Sequence, residues 1–387
     1  MCATLRALIL GAGYAGEGHT LALRRAGVDI IGMASRTLAS CEATAQRLNI
    51  PHAETDWRAM LADLKPDIVA VATPGGTHLE MAAAAIEAGC HVYCDKPLAL
   101  KAEEARQLYA VAKTHGVKTA YAASYRYQPQ ALYARELVQQ GILGAIYEVE
   151  CVSHYNWPRL MPFGWPHRLE TGGGRLFNNF THKLAIVQNM VGGEILAAMG
   201  ETRNDLKRVP IANQVHDFRN YFKQVLTPEE AAQSAWAEVD SDWSYTVLVR
   251  LGDRNGALDQ AVSATFRHSA LNFAKNGDYV AIYGAKGVLH IEGAYVQGAM
   301  FLCTGGNSSS DGWEELTIPS RIHAALPSEP DHSQRNWDQL ARDFVADIRG
   351  EGDHGYPTFR DGWIQQQVID SVRSDQGWSP IEGDLPT

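Results

Sequence analysis

Short apolar runs recur along the first third of the chain, separated by stretches in which alanine and leucine alternate with charged residues at helical spacing. This rhythm is typical of repeated βαβ units, whose strands pair in a parallel sheet. We therefore predict five parallel strands in this part of the chain: Ala7–Leu10, Asp29–Met33, Ile68–Thr73, His91–Cys94 and Lys118–Ala122.

The stretches between these runs carry apolar residues on one helical face, which predicts a helix after each of the first four strands. Glycine is the residue that most readily ends a helix in the left-handed conformation, and Gly27, Gly89 and Gly116 follow three of these stretches. The predicted helices are Glu17–Ala26, Ser40–Leu48, His78–Ala88 and Lys101–His115.

After about residue 124 the pattern changes to alternating, β-rich segments with glycine turns, which favours a largely antiparallel sheet. Two late segments, Trp337–Ile348 and Gly362–Ser374, have helical periodicity, whereas 200–240 and 304–310 allow no assignment. The predicted strands are Ile146–His154, Trp243–Leu251, Ala261–Phe266, Tyr279–Tyr283 and Val288–Glu292.

The pattern predicts an α/β Rossmann domain with a parallel sheet, followed by an α+β C-terminal domain with a large, mostly antiparallel sheet. We place the dinucleotide-binding domain at residues 1–124 and the substrate-binding and oligomerisation domain at 125–387. The terminal helix, at about 357–377, is expected to pack back on the first domain.

Composition narrows the class of partner. The 387 residues are 45% hydrophobic and carry a formal charge of -10, which is ordinary for a globular protein and would repel a nucleic-acid backbone. The apolar run near the start is too short for a signal peptide or a spanning helix, so we expect a cytoplasmic protein without membrane contact. Six cysteines are scattered without paired spacing, and we expect reduced thiols and no metal site.

A glycine motif follows the first predicted strand and opens the first helix. Gly11, Gly13 and Gly16, with Tyr14 and Ala15 between them, form G-x-G-x-x-G in the strand-turn-helix context of dinucleotide-binding proteins. Such a turn lets the backbone approach a pyrophosphate, whose charge meets the free N–H groups of the helix N-terminus. We therefore predict NAD or NADP as the cofactor.

The end of the second strand bears on the choice between these cofactors. NAD-dependent enzymes usually place a carboxylate here to bind the ribose hydroxyls, but this chain has Ser35 and Arg36. A guanidinium can bind a 2′-phosphate, so the sequence favours NADP. The alternative is that Arg36 is a solvated residue at a strand end.

Polar residues also follow the other predicted strands. Thr73, Pro74 and His78 follow the third, Asp95 and Lys96 follow the fourth, and Tyr125 and Arg126 come after the fifth. Ligands of open parallel sheets bind outside the carboxyl ends of the strands, so these residues are predicted to line one crevice.

These motifs together resemble the Gfo/Idh/MocA family, named for glucose-fructose oxidoreductase and inositol dehydrogenase. The resemblance rests on residues 11–16, on 72–74 with His78, and on Asp95–Lys96–Pro97, which is Glu-Lys-Pro in most members. It continues through Gly172–Gly174, then Asn178 and His182, where the family has Asp-x-x-x-His, and through the turn at 283–287. The resemblance implies that Lys96 lies beside the nicotinamide and the reacting oxygen, that His182 exchanges a proton, and that the large sheet supports a homodimer or homotetramer.

The residues themselves support these roles in part. Asn178 and His182 are four apart and share a face if Leu176–Met190 is a helix. Histidine suits proton transfer near neutral pH, and a lysine beside a cationic ring tends towards its neutral form. The alternatives are a hydrogen-bonded structural histidine and a surface lysine before Pro97. A carboxamide exchanges no proton at neutral pH, so we expect Asn178 to orient its neighbours.

An aromatic segment lies between the two predicted domains. It contains Tyr155, Trp157, Trp165, His167 and Arg168. Aromatic faces suit the apolar faces of sugar rings, and the polar groups could bind hydroxyls or a carboxylate, which predicts a substrate loop together with Tyr125 and Arg126. The alternative is a hydrophobic plug that covers one end of the sheet.

The sequence thus predicts an NAD(P)-dependent dehydrogenase or reductase that transfers a hydride between nicotinamide C4 and a hydroxyl or ketone carbon of a sugar, sugar derivative or cyclitol. Two alternatives stay open. One is an NAD-dependent glycosidase that uses transient oxidation and elimination, and the other is a catalytically silent cofactor-binding protein.

Overall fold

The first sheet is parallel, as predicted. The computed structural model describes residues 4–212, 223–256, 260–304, 312–352, 355–374 and 376–385. Among these residues six strands pair in the order β3-β2-β1-β4-β5-β6. Successive strands are therefore added on one side of β1 up to β3 and on its other side from β4 onward. The strands are β1 (Arg6–Leu10), β2 (Asp29–Ala34), β3 (Ala53–Glu54), β4 (Ile68–Val71), β5 (His91–Cys94) and β6 (Thr119–Tyr121).

Helices connect these strands and cover the sheet. The five predicted strands and four predicted helices are confirmed with small differences in their ends, while β3 and α3 were missed. β3 has only two residues, too few to show a period, and the N-terminus of α3 is set by the Asp56 carboxylate, which accepts from the N–H groups of Arg58 and Ala59. The helices are α1 (Tyr14–Arg25), α2 (Leu38–Arg47), α3 (Trp57–Leu64), α4 (His78–Glu87) and α5 (Ala102–His115).

The second sheet is large and mixed. Nine strands of the described residues pair in the order β16-β15-β14-β13-β7-β12-β11-β8-β17, and every pair is antiparallel except β7 with β12. Its strands are β7 (Ile146–His154), β8 (Glu194–Arg203), β11 (Ser244–Gly252), β12 (Val262–Ser269), β13 (Asp278–Gly284), β14 (Val288–Glu292), β15 (Met300–Cys303), β16 (Trp313–Leu316) and β17 (Ser379–Pro380). The mostly antiparallel sheet that the sequence predicts is confirmed.

The unassigned segment 200–240 contains a small separate hairpin, β9 (Arg208–Pro210) with β10 (Trp236–Glu238). Residues 213–222 of that segment, and 305–310 of the other unassigned segment, lie outside the described residues. The helices of this half are α6 (Pro129–Gln139), α7 (Thr181–Val191), α8 (Pro228–Gln233), α9 (Ser320–Ala325), α10 (His332–Ile348) and α11 (Phe359–Ser374). No helix in the described part of the chain is long and apolar enough to cross a membrane.

One face of the second sheet packs against α6 and α7 and forms the larger core. Val149, Val247 and Phe266 of the sheet share this apolar cluster with Phe180, which precedes α7, and with Leu184 of α7. α7 is almost completely buried, and its buried residues include the polar His182, Lys183 and Asn189.

The last two long helices contact the first sheet and its helices. Trp337 of α10 lies so close to Gly18 of α1 that a Cβ atom there would come within 2.1 Å of the indole. Phe359 and Trp363 of α11 belong to the apolar cluster around β4 and β5, while Val368 belongs to the core of the second sheet. The division of the chain at residue 124 therefore stays a prediction.

The regular helix predicted over Leu176–Met190 is wrong at its beginning. Leu176–Phe180 forms a wider π-helical turn, and α7 starts only at Thr181. The Asp242 carboxylate caps this turn, since it accepts from the N–H of Leu176 at 2.6 Å. Wide turns of this kind are frequent at functional sites.

Candidate active site

The glycine turn between β1 and α1 leaves room for a ligand. Gly11 has φ +118°, and a Cβ there would lie 2.5 Å from the Ala72 carbonyl oxygen, while a Cβ at Gly16 would lie 2.0 Å from the Gly11 carbonyl oxygen. At Gly13 a Cβ would meet no atom within 4 Å, and no side chain caps the first turn of α1. The turn is therefore closed on its inner side and open above the helix N-terminus, as a pyrophosphate requires. Tyr14 packs against Trp337, and Ala15 is partly exposed in the first helical turn.

The end of β2 carries Ser35 and Arg36 at the surface. The Ser35 hydroxyl donates to the Thr37 carbonyl, and Arg36 is exposed with no ion pair to a described residue. A carboxylate that sequence reasoning missed lies on the neighbouring strand, because Glu54 of β3 pairs with Ala34. The cationic group predicted to recognise a 2′-phosphate is thus accessible, and a carboxylate lies on the adjacent strand.

His78 connects the ends of β4 and β5. Its side chain has no exposed surface, and its two ring nitrogens lie 2.7 Å from the carbonyl oxygens of Thr73 and Pro97. Burial lowers the pKa of His78. The ring therefore holds the two loops together, and the assignment of His78 to the cofactor site stays a prediction.

Asp95 and Lys96 follow β5 as predicted. The Asp95 carboxylate lies 3.7 Å from Nε2 of the buried His19 of α1. Burial acts to raise the pKa of Asp95, but His19 and Lys96 outweigh it and hold the pKa well below its usual range. Burial lowers the pKa of Lys96, with Asp95 opposing this effect and Arg175 adding to it. The pair presents one fixed negative charge and one lysine that gives up its proton more easily than usual.

The Gly172–Gly174 turn joins the second half of the chain to the β4 loop. A Cβ at Gly172 would lie 3.3 Å from Gly75, and one at Gly173 would lie 2.5–2.6 Å from three carbonyl oxygens. Gly174 has φ +96°, and a Cβ there would lie 2.6 Å from the Asp242 carboxylate. Larger residues would push the two parts of the site apart, so glycine is required here by close approach.

Asn178 connects this turn to Lys96. Its Oδ1 accepts from Lys96 Nζ at 3.0 Å, and its Nδ2 donates to the carbonyl oxygens of Gly172 and Gly174, both at 2.9 Å. The ammonium can only donate and the carbonyls can only accept, so these partners fix the orientation of the carboxamide. The amide is the group that fits here, since an ionised carboxylate has no hydrogen to donate to the two carbonyls.

His182 lies at the start of α7 against two tyrosines. Its ring centroid is 4.6 Å from that of Tyr125 and 6.1 Å from that of Tyr295, and neither ring nitrogen bonds to a described residue. Burial lowers the pKa of His182 to about 3, with contributions from the charges of Lys96 and Arg175. The ionisation near neutrality that we expected from histidine chemistry is therefore absent, because the ring is desolvated among cations.

Tyr155 and Trp157 line the same region from the end of β7. Their rings are stacked with centroids 6.3 Å apart, and the guanidinium of Arg175 lies 4.1 Å from the centre of the Trp157 ring. His268, at the end of β12, packs edge-on against Tyr155 and accepts from Arg175 Nε at 3.2 Å. This part of the aromatic segment faces polar groups at the candidate site.

The rest of the aromatic segment is a plug. His167 has no exposed surface, and its ring lies stacked between Phe163 and Trp243 in a separate apolar cluster. Burial lowers the pKa of His167 to about 4. Trp165 lies in the short 3₁₀ turn that closes over Gly173, and Arg168 is exposed and paired with Glu170. Packing between these two rings favours the structural alternative for His167, whose assignment to the substrate site stays a prediction.

Arg126 also departs from its predicted place. It donates to Asn189 Oδ1 at 2.8 Å and lines a cavity of about 410 Å³ beyond the C-terminal half of α7, together with Arg135 and Asp361. The neighbouring Tyr125 points the other way, towards His182. The structure thus separates Arg126 from Tyr125, and a substrate contact by Arg126 stays a prediction.

Several residues of the site were missed. They are Arg175, Lys183, His268 and Tyr295, which contact one another or the predicted residues. Arg175 directly follows the glycine motif, and Lys183 follows His182, so both positions were within reach of sequence reasoning. His268 lies beyond the predicted end of its strand, and Tyr295 lies in a turn with no sequence signal.

Comparison with known proteins adds a family to this geometry. Residues 5–123 match the model of an oxidoreductase family with an NAD-binding Rossmann fold, GFO/IDH/MocA, and residues 131–290 match a C-terminal domain of the same family. The chain is 28% identical over 279 residues to a levoglucosan dehydrogenase of Pseudarthrobacter phenanthrenivorans, and the alignment covers 68% of each protein. It is 35% identical over 145 residues to a D-glucoside 3-dehydrogenase of Escherichia coli, and this alignment covers 37% of this chain and 41% of that protein.

Solved structures share the fold over the whole chain. A levoglucosan dehydrogenase in complex with NADH and L-sorbose superposes with a TM-score of 0.82 at 19% identity, covering 98% of this chain and 99% of that one. An NAD-binding oxidoreductase from Klebsiella pneumoniae superposes with a TM-score of 0.78 at 23% identity, covering 99% and 100%.

Proposed function

Because the chain belongs to the Gfo/Idh/MocA family of NAD-binding oxidoreductases, we propose that it transfers a hydride between nicotinamide C4 and a hydroxyl or ketone carbon of a sugar, sugar derivative or cyclitol. The observation that carries the proposal is the contact of Lys96 with Asn178, at 3.0 Å, between the strand ends of the first sheet and the glycine turn of the second half. The names of the relatives, levoglucosan dehydrogenase and D-glucoside 3-dehydrogenase, support a sugar-like substrate.

The cofactor would be held by the glycine turn and the neighbouring strand ends. The open face at Gly13 admits the pyrophosphate, and Ser35 and Arg36 bind the adenosine ribose, with NADP favoured over NAD because Arg36 is accessible. Thr73, Pro74 and Asp95 line the path from there to Lys96. When bound, the nicotinamide supplies hydride acceptance or donation at its C4 carbon.

Lys96, Asn178 and His182 divide the remaining chemistry. Asn178 holds the Lys96 ammonium, whose other hydrogens donate to the reacting oxygen and stabilise negative charge on it. His182 is neutral at physiological pH and accepts the hydroxyl proton during oxidation. With a pKa of about 3, His182 is a weak base, so the field of Lys96 must make the hydroxyl more acidic for the transfer to occur.

The aromatic residues would hold the ring of the substrate. Tyr155 and Trp157 offer stacked faces, and Tyr125 and Tyr295 flank His182. We assign two further residues only to the rim of the substrate site: Trp165, which lies over the glycine turn, and the exposed Arg168. We place the enzyme in the cytoplasm, where nicotinamide cofactors are available.

A homodimer or homotetramer is also part of the proposal. The face of the second sheet opposite α7 carries aromatic side chains, with Tyr279 stacked on His290 and Trp313 half-exposed nearby. An exposed aromatic patch on a flat sheet supports association of two copies. Light scattering at several protein concentrations measures the oligomeric state directly.

A substrate panel tests the function. Sugars, cyclitols and sugar acids are incubated with NADP or NAD, and reduced nicotinamide is followed by absorbance. His182→Ala should slow turnover of the best substrate by about 10²–10⁴-fold with nearly unchanged cofactor affinity, the usual scale for a proton-transfer group. His115→Ala, at the exposed end of α5, is the control and should be silent.

Other outcomes assign a different function. Release of an aglycone without net formation of reduced cofactor would indicate the glycosidase. Tight cofactor binding without any turnover in either direction would indicate the silent binding protein.

A further inference from the structure

Two positive side chains are buried at the candidate site without a carboxylate partner. Arg175 is 8% exposed and Lys183 is fully buried, and neither forms an ion pair with any aspartate or glutamate among the described residues. The rings of Tyr245 and Tyr295 lie 5.7 and 5.9 Å from the Lys183 ammonium, which also donates to the Ser153 hydroxyl. Unpaired buried charge is costly, so a binding partner that supplies the opposite charge is expected.

The nearby carboxylates are already engaged. Asp242 accepts from Arg373 at 3.0 Å, and Asp278 lies 2.9 Å from Lys275. The third, Asp95, lies against His19 on the cofactor side. Each has its own cationic neighbour, so the excess positive charge at Arg175 and Lys183 is left for a ligand.

A chain of hydrogen bonds holds Arg175 in place. Lys183 Nζ donates to Ser153 Oγ, which lies 2.8 Å from His268 Nδ1, and Arg175 Nε donates to His268 Nε2 at 3.2 Å. Because Nε2 accepts, the ring hydrogen of this neutral histidine must be on Nδ1, which donates to Ser153. The chain therefore fixes the tautomer of His268 and the direction of the guanidinium.

The same contacts leave one edge of the guanidinium available. Its face is covered by Trp157 at 4.1 Å and its Nε is bound to His268, whereas its two terminal nitrogens bond to no described residue. Two parallel N–H groups on a held, planar guanidinium match the two oxygens of a carboxylate.

Arg175 acts on the proposed catalytic groups. Its charge lowers the pKa of both Lys96 and His182, and it lies over Trp157, which we assign to the substrate. The free edge of the guanidinium therefore belongs to the substrate side of the site and not to the glycine turn that would hold the cofactor phosphates.

We propose that the substrate is a sugar acid whose carboxylate binds Arg175, and that Lys183, Ser153 and His268 are positioning residues for that guanidinium. The inference rests on the proposed function, because it names the substrate class of the same site. A hydroxyl group could also accept from Arg175, but it would leave both buried charges uncompensated.

Matched pairs of compounds test the substrate class. Glucose with glucuronate, galactose with galacturonate, and mannose with mannuronate differ only at the terminal carbon. For at least one pair, kcat/KM for the acid should exceed that for the neutral sugar by about 10–100-fold, the ordinary range for a charged hydrogen bond. Arg175→Gln should abolish this ratio, because only the acid loses the carboxylate contact, whereas any change in Lys96 and His182 acts on both members of a pair. The control Arg106→Gln, which removes an equal charge from an exposed site on α5, should leave the ratio unchanged.

The proposal is overturned if every pair that reacts favours the neutral sugar, if Arg175→Gln slows both members equally, or if glucose 6-phosphate is preferred to every acid. If no pair reacts, the proposed function fails, and calorimetry of the acids with the NADPH-loaded protein decides the inference separately. Binding of an acid that Arg175→Gln removes and Arg175→Lys partly retains would support it. Absence of binding, or equal binding by Arg175→Gln, would overturn it.

The positioning residues have their own readout. Ser153→Ala interrupts the chain but keeps both charges, so KM for the acid should rise several-fold while KM for its neutral partner and kcat for both stay near the wild-type values. If Ser153 served folding alone, Ser153→Ala would change KM for both substrates together, and this part of the proposal would be overturned.

Discussion

Replacing Asn178 by aspartate tests how the centre of the site is assembled. In the structure Nδ2 donates to the Gly172 and Gly174 carbonyls and Oδ1 accepts from Lys96. An ionised aspartate keeps the acceptor for Lys96 but loses both donors and turns an oxygen towards two carbonyl oxygens. Stability and the ionisation of Lys96 should therefore change in a linked way.

The magnitude follows from the partners. The Gly172 carbonyl has no other bond to a described residue, and leaving it unpaired costs about 1–3 kcal/mol. The Gly174 carbonyl still accepts from the backbone N–H of residue 178, so losing the side-chain donor there costs about 0.5–1.5 kcal/mol. A hydrogen bond from Lys96 to an ionised carboxylate is about 1 kcal/mol stronger than its bond to the neutral carboxamide, and this gain is recovered. Asn178→Asp should therefore lower the free energy of unfolding by about 0.5–3.5 kcal/mol, as measured in urea.

The ionisation of Lys96 provides the second measurement. A carboxylate beside the ammonium favours its charged form, so the alkaline limb of the kcat/KM profile should move to higher pH in Asn178→Asp. Asn178→Ala, which loses the same two donors without adding charge, is the matched control and should not move the limb upward. Equal profiles in the two variants, or a more stable Asn178→Asp, would refute this account of the residue.

Three further predictions concern other parts of the molecule. Arg36→Ala should move cofactor preference from NADP towards NAD by roughly tenfold, which is the lower end for a charged contact because Arg36 is exposed. Titration calorimetry with both cofactors measures this preference. An NAD preference in the wild-type protein would contradict the prediction. Gly16→Ala should abolish cofactor binding, because its Cβ would lie 2.0 Å from the Gly11 carbonyl oxygen, whereas Gly13→Ala should fold normally since its Cβ meets no protein atom. Burial lowers the pKa of Lys183 from 10.5 to about 8, so above pH 8 the unfolded chain binds more protons than the folded one and stability rises with pH. Lys183→Met should remove that rise and be the more stable protein at pH 7 in thermal unfolding; a less stable variant would show that the buried ammonium contributes net stability.

Lys96 shows which part of the site local sequence predicts well. It follows a short apolar strand in a βαβ series, and the carboxyl ends of parallel strands meet at one edge, so its place in the crevice follows from chain order alone. The same argument applies to Gly13 and Arg36. The departure at Asn178 was also visible in the sequence, but its reason was not, since the two carbonyls that require an amide belong to a turn shaped by packing against Gly75.

His182, His167 and Arg126 show where local reasoning fails. Residue type indicates that a histidine can exchange a proton, but the pKa of about 3 for His182 and about 4 for His167 follows from desolvation by distant segments. Arg126 adjoins Tyr125 in sequence, yet the short 3₁₀ turn at Ser124–Tyr127 sends the two side chains towards opposite ends of α7.

The sequence by itself determined the two fold classes, the glycine turn and the ends of the strands at which chemistry gathers, because periodicity, glycine φ and strand order are local properties. Only the tertiary structure decided which polar groups are buried together. The chain Lys183–Ser153–His268–Arg175 joins residues up to 115 positions apart, on α7, β7, β12 and the glycine turn. No local pattern encodes such a contact, since it arises when the helix is packed on the sheet, and it is this packing that leaves the uncompensated charge from which the substrate class is inferred.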